Sequence, residues 1–536
     1  MSELERVETG LGEECGVFAI YDPDGDCART TYYGLYALQH RGQESCGIAV
    51  NNNRDITHYK DMGLVNDVFN DEILTKLDGK MAVGHVRYST TGESMRENAQ
   101  PLVLRYVKGN IAIAHNGNLV NKDELAQELS VTGAIFQTTT DTEMIAYTIA
   151  KERLNSKSVE EAVEKTINHL VGAFSLIVMS PQKLIAARDP WGFRPLCMGK
   201  KGDAIVFASE TCALDSVGAE FVRDIEPGEI VVVQDGKIST IRTHVGKQPH
   251  TMCIFEYLYF ARPDSIIEGQ SAHDSRMLAG KYLAQEFPVE ADVVIGVPDS
   301  GLSAAMGYAK ESGIPYDIGF VKNKYIGRTF ISPGQDKRID QVRIKLSAIG
   351  ESVKDKRIVL IDDSIVRGTT LQQQILRILS RTNPKKIVIA STAPQIRYPD
   401  CYGIDMSEIG KFIAFQAAIK LLKEQGNAEL IKDVYRLCCS QKDKPSREIK
   451  NYVKMIYEPF TADKISEKIA ELVRPQNVAW NGELEIVFQS IENLHKAITT
   501  CTGDWYFTGD YPTPGGYAVL NKAFINYYEN REGRSY

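Results

Sequence analysis

Hydrophobic and polar positions follow one rhythm in the first half of the chain and another in the second. GVFAIYD, from Gly16, alternates as a strand does, and GAFSLIVMS, from Gly172, is an apolar run of buried-strand length. Between them EEAVEKTINHLV, from Glu160, places its apolar residues at helical spacing. GEIVVVQDGKISTIRTH predicts a hairpin turning at Asp235-Gly236, and DPWGFRPL predicts a turn through Pro190, Gly192 and Pro195. This rhythm implies an α+β unit of stacked, mostly antiparallel sheets. Gly246 to Thr251 is polar, contains a proline and reads as a linker. From about residue 290 the apolar runs ADVVIG, RIVLID and KKIVIAS take over, two of them followed by the helical segments LSAAMGYAKESG and LQQQILRIL. Strands alternating with helices predict a doubly wound α/β unit with a parallel sheet, whose sites fall at the carboxyl ends of the strands.

Composition narrows the class. At 536 residues the chain exceeds one core, and its apolar (43 %) and charged (25 %) fractions are those of a globular protein. A net charge of −8 argues against a dedicated nucleic-acid binder. No apolar run is long enough to span a membrane, and the opening MSELERVETGLGEEC is acidic, unlike a signal peptide. Ten scattered cysteines without a CxxC pair fit reduced thiols in a cytoplasmic protein, and offer no zinc site. Cys438 and Cys439 read as core.

RIVLIDDSIVRGTT, Arg357 to Thr370, ends its strand in Asp362 and Asp363 and turns through Ser364, Arg367, Gly368, Thr369 and Thr370 into a helix. Backbone N–H groups, a helix N-terminus and hydroxyls suit a phosphate, while two acids suit ribose hydroxyls or a hydrated Mg²⁺. The stretch resembles the phosphoribosyl pyrophosphate (PRPP) motif of type I phosphoribosyltransferases. That resemblance implies that Asp362 and Asp363 face ribose and metal and that Asp363 to Thr370 wraps the 5-phosphate. It also implies that the VPDSG loop holds pyrophosphate, with Ser300 sharing one Mg²⁺ per subunit with the two acids. VKNKYIGRTFISPGQDKR, Val321 to Arg338, carries five basic residues. Its position between two phosphate loops suits a lid, with Lys322, Lys324 and Arg328 neutralising the departing pyrophosphate while water is excluded.

Cys15 heads the first strand and alone would read as core. Four further stretches change that: LQHRGQESCG, GHVRYST, AHNGNL and TTTDTE. Together they resemble the glutaminase domain of class II, N-terminal-nucleophile amidotransferases. A thiol needs a base, and a free α-amino group, with a pKa of about 8, can take its proton; an internal amide nitrogen cannot. Cleavage between Glu14 and Cys15 is therefore expected, with residues 1–14 a propeptide. The resemblance implies that Arg87 pairs with the glutamine carboxylate and Asp141 with its ammonium. Asn116 and the Gly117 N–H form the oxyanion hole, and Arg41 orders the pocket. His85 and His115 are weighted toward structural roles.

The order of the two units resembles the layout of the amidophosphoribosyltransferases. The expected fold is an N-terminal-nucleophile αββα sandwich over 15–245, then an α/β doubly wound phosphoribosyltransferase domain over 252–472, then an extension of unknown role over 473–536. The implied activity makes 5-phosphoribosylamine, glutamate and pyrophosphate from PRPP, glutamine and water. A class II amidotransferase with another acceptor, or a non-catalytic PRPP sensor, are the rivals. Purine nucleotide feedback and a homo-oligomer, dimer or tetramer, are implied too, with neither nucleic acid nor membrane as partner. One branch of the family holds a [4Fe–4S] cluster on four cysteines. Its first ligand would fall on Cys253, its second is displaced from Cys401 onto Asp400, and near its last pair only Cys501 stands. A shifted ligand and a missing pair speak against the cluster.

Overall fold

The alternating segments of the first half form two antiparallel sheets. Their strands, in chain order, are β1 (Gly16–Tyr21), β2 (Ser45–Asn52), β3 (Asp55–Met62), β4 (Met81–Arg87), β5 (Leu102–Tyr106), β6 (Gly109–Leu119), β7 (Gly172–Met179), β8 (Leu184–Arg188), β9 (Cys197–Lys201), β10 (Ala204–Ala208), β11 (Glu220–Asp224), β12 (Ile230–Gln234) and β13 (Lys237–Ile241). This is a computed structural model, and it describes residues 14–52, 55–88, 94–323, 346–476 and 478–531. One sheet runs β11-β9-β10-β1-β4-β2-β3 and the other β13-β12-β8-β7-β6-β5. Val17, Ala19 and Val83 meet Ala114, Ile177 and Val231 between them. Phe18 and Ile20 point the other way, onto the helix Cys27–Ala37. The far face of the second sheet carries the helices Asp141–Leu154 and Val159–Ile167. These four layers are an αββα sandwich, and they bury β1 on both faces along most of its length. The hairpin turns where expected: Gln234 pairs with Lys237, and Asp235 and Gly236 take φ of 50° and 73°.

In the second half Val293–Gly296, Arg357–Asp362, Lys386–Ser391 and Glu483–Phe488 form one parallel sheet in that order. The helices Ala272–Glu286 and Gly301–Ser312 cover one face through Leu283, Ala305 and Tyr308, and the larger core lies on the other. The segment after 472 does not stand apart, because Glu483–Phe488 closes the sheet at its edge and Trp505 and Tyr506 are fully buried in the larger core. Its edge position lets Glu483 and Glu485 interrupt the apolar pattern. The helix after the acid turn opens at Thr369 and Thr370, widens into a π-helix over Leu371–Leu376 and returns to an α-helix over Arg377–Ser380.

Candidate active site

Cys15 lies at the head of β1, and the register Gly16 to Val86 brings the end of β4 alongside it. Its Sγ–H donates to the Tyr88 carbonyl at 3.5 Å. The end of β6 arrives from the other sheet. A cleft lined by Cys15, Arg87, Tyr88, Gln100, His115, Gly117, Thr140 and Asp141 gathers residues distant in sequence. Beside it the Asn116 side chain is buried, and its Nδ2 has no hydrogen-bond partner among the described residues. Gly117 takes φ of 141°, and a Cβ there would meet the Ala173 carbonyl oxygen at 2.1 Å. Only glycine fits this backbone, which is turned away from ordinary strand geometry at the point where an N–H donor is wanted.

Asp141 opens its helix and accepts from the Leu119 N–H at 2.9 Å, with His115 Nδ1 3.5 Å away. Burial works to raise its carboxyl, but His115 and the Leu119 N–H outweigh it and hold the group below its ordinary value. His115 Nε2 also faces the Ala173 carbonyl at 3.2 Å, while His85 Nε2 donates to the His115 carbonyl at 3.0 Å. Burial pushes His85 down to about 3, so it stays neutral and fixes backbone. Both histidines bridge segments of the cleft wall. The Arg87 guanidinium pairs with Glu44. Gln100 links two walls, accepting from the His115 N–H at 2.8 Å and donating to Thr142 at 3.0 Å. Sequence reasoning missed Gln100, which reaches the cleft through packing between distant segments, and did not single out Glu44 or Thr140 within the stretches it quoted. The Cys15 thiol, still joined to Glu14, is pushed up to about 11 by burial, against the Tyr88 hydrogen bond and the Arg87 charge.

Arg41 is not part of the cleft wall. It lies fully buried behind Cys15, donating from Nε to the Cys15 carbonyl at 3.1 Å and from Nη1 to Glu210 at 2.7 Å. Glu256 accepts from both of its terminal nitrogens, at 3.0 and 2.9 Å.

In the second half the two loops come side by side at the carboxyl ends of adjacent strands, where the Val297 N–H donates to the Ile361 carbonyl at 2.9 Å. Ser300 Oγ donates to one oxygen of Asp363 and Ser364 Oγ to the other at 2.6 Å. Asp362 Oδ1 accepts from the Asp363 N–H at 3.0 Å. Burial and the neighbouring Asp363 charge push Asp362 well up, and burial raises Asp363 despite the two serines. Two buried carboxylates and a hydroxyl form an all-oxygen donor set that a hard dication would relieve, so the residues present fit Mg²⁺. Among the described residues no group of three or more His, Cys, Asp or Glu gathers for a metal, so such an ion would draw its remaining ligands from substrate or water. Gly368 takes φ of 72° in the turn, and Thr369 and Thr370 follow it directly ahead of the π-helix. Arg367 reaches toward Asp405, 3.9 Å away. Lys322 Nζ donates to Asp299, across the VPDSG loop, at 2.5 Å. Lys324 and Arg328 lie outside the described residues.

Cys253 has its sulfur 3.1 Å from the Tyr506 hydroxyl. Asp400 accepts from Trp505 Nε1 at 2.9 Å and from the Tyr402 and Ile404 N–H groups at 2.9 and 2.7 Å. Aromatic side chains from the C-terminal segment therefore occupy the neighbourhood of Cys253 and Asp400. No helix among the described residues is long and apolar enough to cross a membrane.

Comparison with known proteins matches a glutamine amidotransferase domain to residues 85–216 and a phosphoribosyl transferase domain to 266–402. The amidophosphoribosyltransferase of Methanocaldococcus jannaschii is 48 % identical over 415 residues, covering 75 % of this chain and 88 % of that one. The Bacillus subtilis protein of the same name is 45 % identical over 423 residues, 79 % and 88 % of the two chains. A solved structure described as the allosteric regulatory enzyme of purine biosynthesis superposes with a TM-score of 0.77 at 39 % identity, over 93 % of this chain and 96 % of that chain. The glutamine PRPP amidotransferase from B. subtilis, complexed with ADP and GMP, gives 0.75 at 38 % identity over 93 % and 97 %.

Proposed function

Because the chain belongs to the amidophosphoribosyltransferase family, we propose the following division of labour between its two halves. The protein is an enzyme: a glutamine-dependent transferase of purine biosynthesis that forms 5-phosphoribosylamine, glutamate and pyrophosphate from PRPP, glutamine and water. The single observation that carries the assignment of roles is the co-occurrence in one chain of two sites. One is the cleft around Cys15 with its unpartnered Asn116 amide, and the other is the pair of buried acids at a parallel strand's end.

In the first half, removal of residues 1–14 gives Cys15 a free α-amine that accepts the thiol proton. The thiolate attacks the glutamine carboxamide carbon, and Asn116 Nδ2 with the Gly117 N–H stabilises the oxyanion. Ammonia leaves, and water hydrolyses the glutamyl thioester. Arg87 exchanges Glu44 for the substrate α-carboxylate, Asp141 takes the ammonium, and Arg41 orders the pocket from behind.

In the second half Ser364, Arg367, Gly368, Thr369 and Thr370 cradle the 5-phosphate. Asp362 and Asp363 grip the ribose and, with Ser300, hold one Mg²⁺, which when bound screens the charge of the diphosphate. Lys322 exchanges Asp299 for pyrophosphate oxygens, and Lys324 and Arg328 are assigned to the same task. Neutral ammonia displaces pyrophosphate from C1 of the sugar. Purine nucleotides act as feedback ligands, and the protein works as a cytoplasmic dimer or tetramer.

The deciding experiment follows glutamine hydrolysis and pyrophosphate release with PRPP, with and without Mg²⁺. PRPP-stimulated glutaminase, Mg²⁺-dependent pyrophosphate release and loss of glutaminase in Cys15→Ala are expected. Glutaminase without PRPP-dependent pyrophosphate release would favour another acceptor, and unchanged activity in Cys15→Ala would remove the glutaminase assignment.

A further inference from the structure

Glu14, the last residue of the expected leader, is 1 % exposed, and its carboxylate is seated between two buried arginines. Arg41 Nη2 donates to its Oε2 at 3.2 Å, and Arg194 forms an ion pair with its Oε1. The seat is built from both halves of the chain. Arg41, Arg194 and Glu210 come from the sandwich. Glu256, which opens the π-helical turn Glu256–Phe260, holds Arg41 bidentately and lies 3.5 Å from Arg194. The Tyr402 carbonyl accepts from Arg194 Nη2 at 2.9 Å.

Charge counting gives this seat a direction. With the leader attached, two guanidinium groups face three carboxylates, Glu14, Glu210 and Glu256, with His40 on Glu210 at 2.8 Å. Burial pushes the Glu14 carboxyl well above its usual range. Glu256, equally buried, is held below its usual range by Arg41. Without Glu14, two guanidinium groups face two carboxylates.

We propose that the two-arginine seat of Glu14 is a docking checkpoint for leader removal. The Glu14–Cys15 bond is presented for cleavage only once Glu256 and Tyr402 of the second half have locked Arg41 and Arg194. Cleavage is a hydrolysis: the bond between the Glu14 carbonyl carbon and the Cys15 nitrogen breaks, and water supplies hydroxyl to the one and hydrogen to the other. The inference rests on the leader-removal reading above and adds what gates the step.

The test follows intact mass over time in full-length wild type, Glu14→Ala, Glu14→Lys and Glu256→Gln after synthesis. Wild type is expected to lose residues 1–14, whereas each variant retains them with a half-life at least tenfold longer. Ammonia-dependent phosphoribosylamine formation reports that the second half is folded in each. A chain in which Cys15 directly follows the initiator Met, removed on expression, is expected to show wild-type glutaminase. If both Glu14 variants are cleaved at the wild-type rate, the checkpoint is overturned and leader removal stands. If active wild type keeps residues 1–14, leader removal falls and the checkpoint with it.

Discussion

Replacing Asn116 with alanine separates catalysis from stability, because the two effects carry opposite signs. The Asn116 amide is buried with Nδ2 unpartnered among the described residues. An unmade hydrogen bond on a buried donor costs about 1–3 kcal/mol, which truncation recovers. Truncation also leaves a cavity of roughly the amide's size, and at about 24 cal/mol per Å³ a void of some 50 Å³ costs about 1 kcal/mol. The net change in unfolding free energy is therefore expected between about zero and about 2 kcal/mol in the stabilising direction. Losing one oxyanion donor, by contrast, lowers kcat by about 10²–10³, or about 2.7–4 kcal/mol. Three measurements on one preparation suffice: glutaminase kcat, ammonia-dependent phosphoribosylamine formation and the urea unfolding midpoint. Glutaminase should fall at least a hundredfold while the other two hold. Glutaminase within threefold of wild type would refute the oxyanion role. Destabilisation beyond about 2 kcal/mol would mean that the amide is bonded and that its apparent idleness misleads.

Arg41→Met strands Glu210 and Glu256 and is expected to cost about 3–5 kcal/mol by thermal unfolding, whereas Arg41→Met/Glu256→Met should lose less than the single variant. The Glu210 carboxyl lies well below its ordinary value, since His40 and Arg41 outweigh the cost of its burial. Its stabilisation is therefore present above the ordinary carboxylate pKa and is lost as pH falls through the depressed folded value; Glu210→Gln should flatten that acid limb, and an unchanged limb would contradict the pairing. Mg²⁺ with PRPP should raise Tm in wild type and not in Asp362→Asn/Asp363→Asn, which without ligand should be at least as stable as wild type, having lost a buried like-charge pair. Trp505→Ala empties a fully buried position and removes a donor to Asp400, so a loss of about 3–5 kcal/mol is expected; a loss under about 1 would mean the C-terminal segment is only loosely attached.

What the sequence revealed and what it hid divide along a physical line. Asp362, Asp363 and Gly368 stand in one contiguous strand and turn, so local pattern sets their neighbourhood, whereas Ser300 reaches Asp363 from the loop after an adjacent strand. The β12–β13 hairpin was legible for the same reason: Asp235-Gly236 specifies its turn. Gln100 was not, because it reaches the cleft through packing between distant segments. Glu256 reads locally as one polar residue in an aromatic run, and only the docking of two halves makes it the counterion of Arg41. The edge strand Glu483–Phe488 hid because an edge buries little: Ile486 and Phe488 are buried, while its glutamates pair outward with Lys386.

The two halves meet on the strand that carries Asn116 and Gly117. The segment after Lys386–Ser391 packs on β6 itself: Asn118 Nδ2 donates to the Cys401 carbonyl at 2.9 Å, and a Cβ on Gly403 would lie 3.3 Å from the Gly117 carbonyl carbon. Phe193 stacks on Tyr402 at 4.2 Å between ring centres, and Tyr402 meets Trp505 edge to face at 4.8 Å. The second half thus covers the wall that carries Gly117. On the far side of the same junction, Arg276 donates to the carbonyls of Tyr257 and Ala261 at 2.8 and 2.7 Å and places its charge beside Asp363. The turn that begins with Glu256 is thus held at one end by the arginine behind Cys15 and along its length by the arginine beside the sugar-site acids. Residues 256–261 therefore bond to Arg41, which touches the Cys15 carbonyl, and to Arg276, which lies beside Asp363.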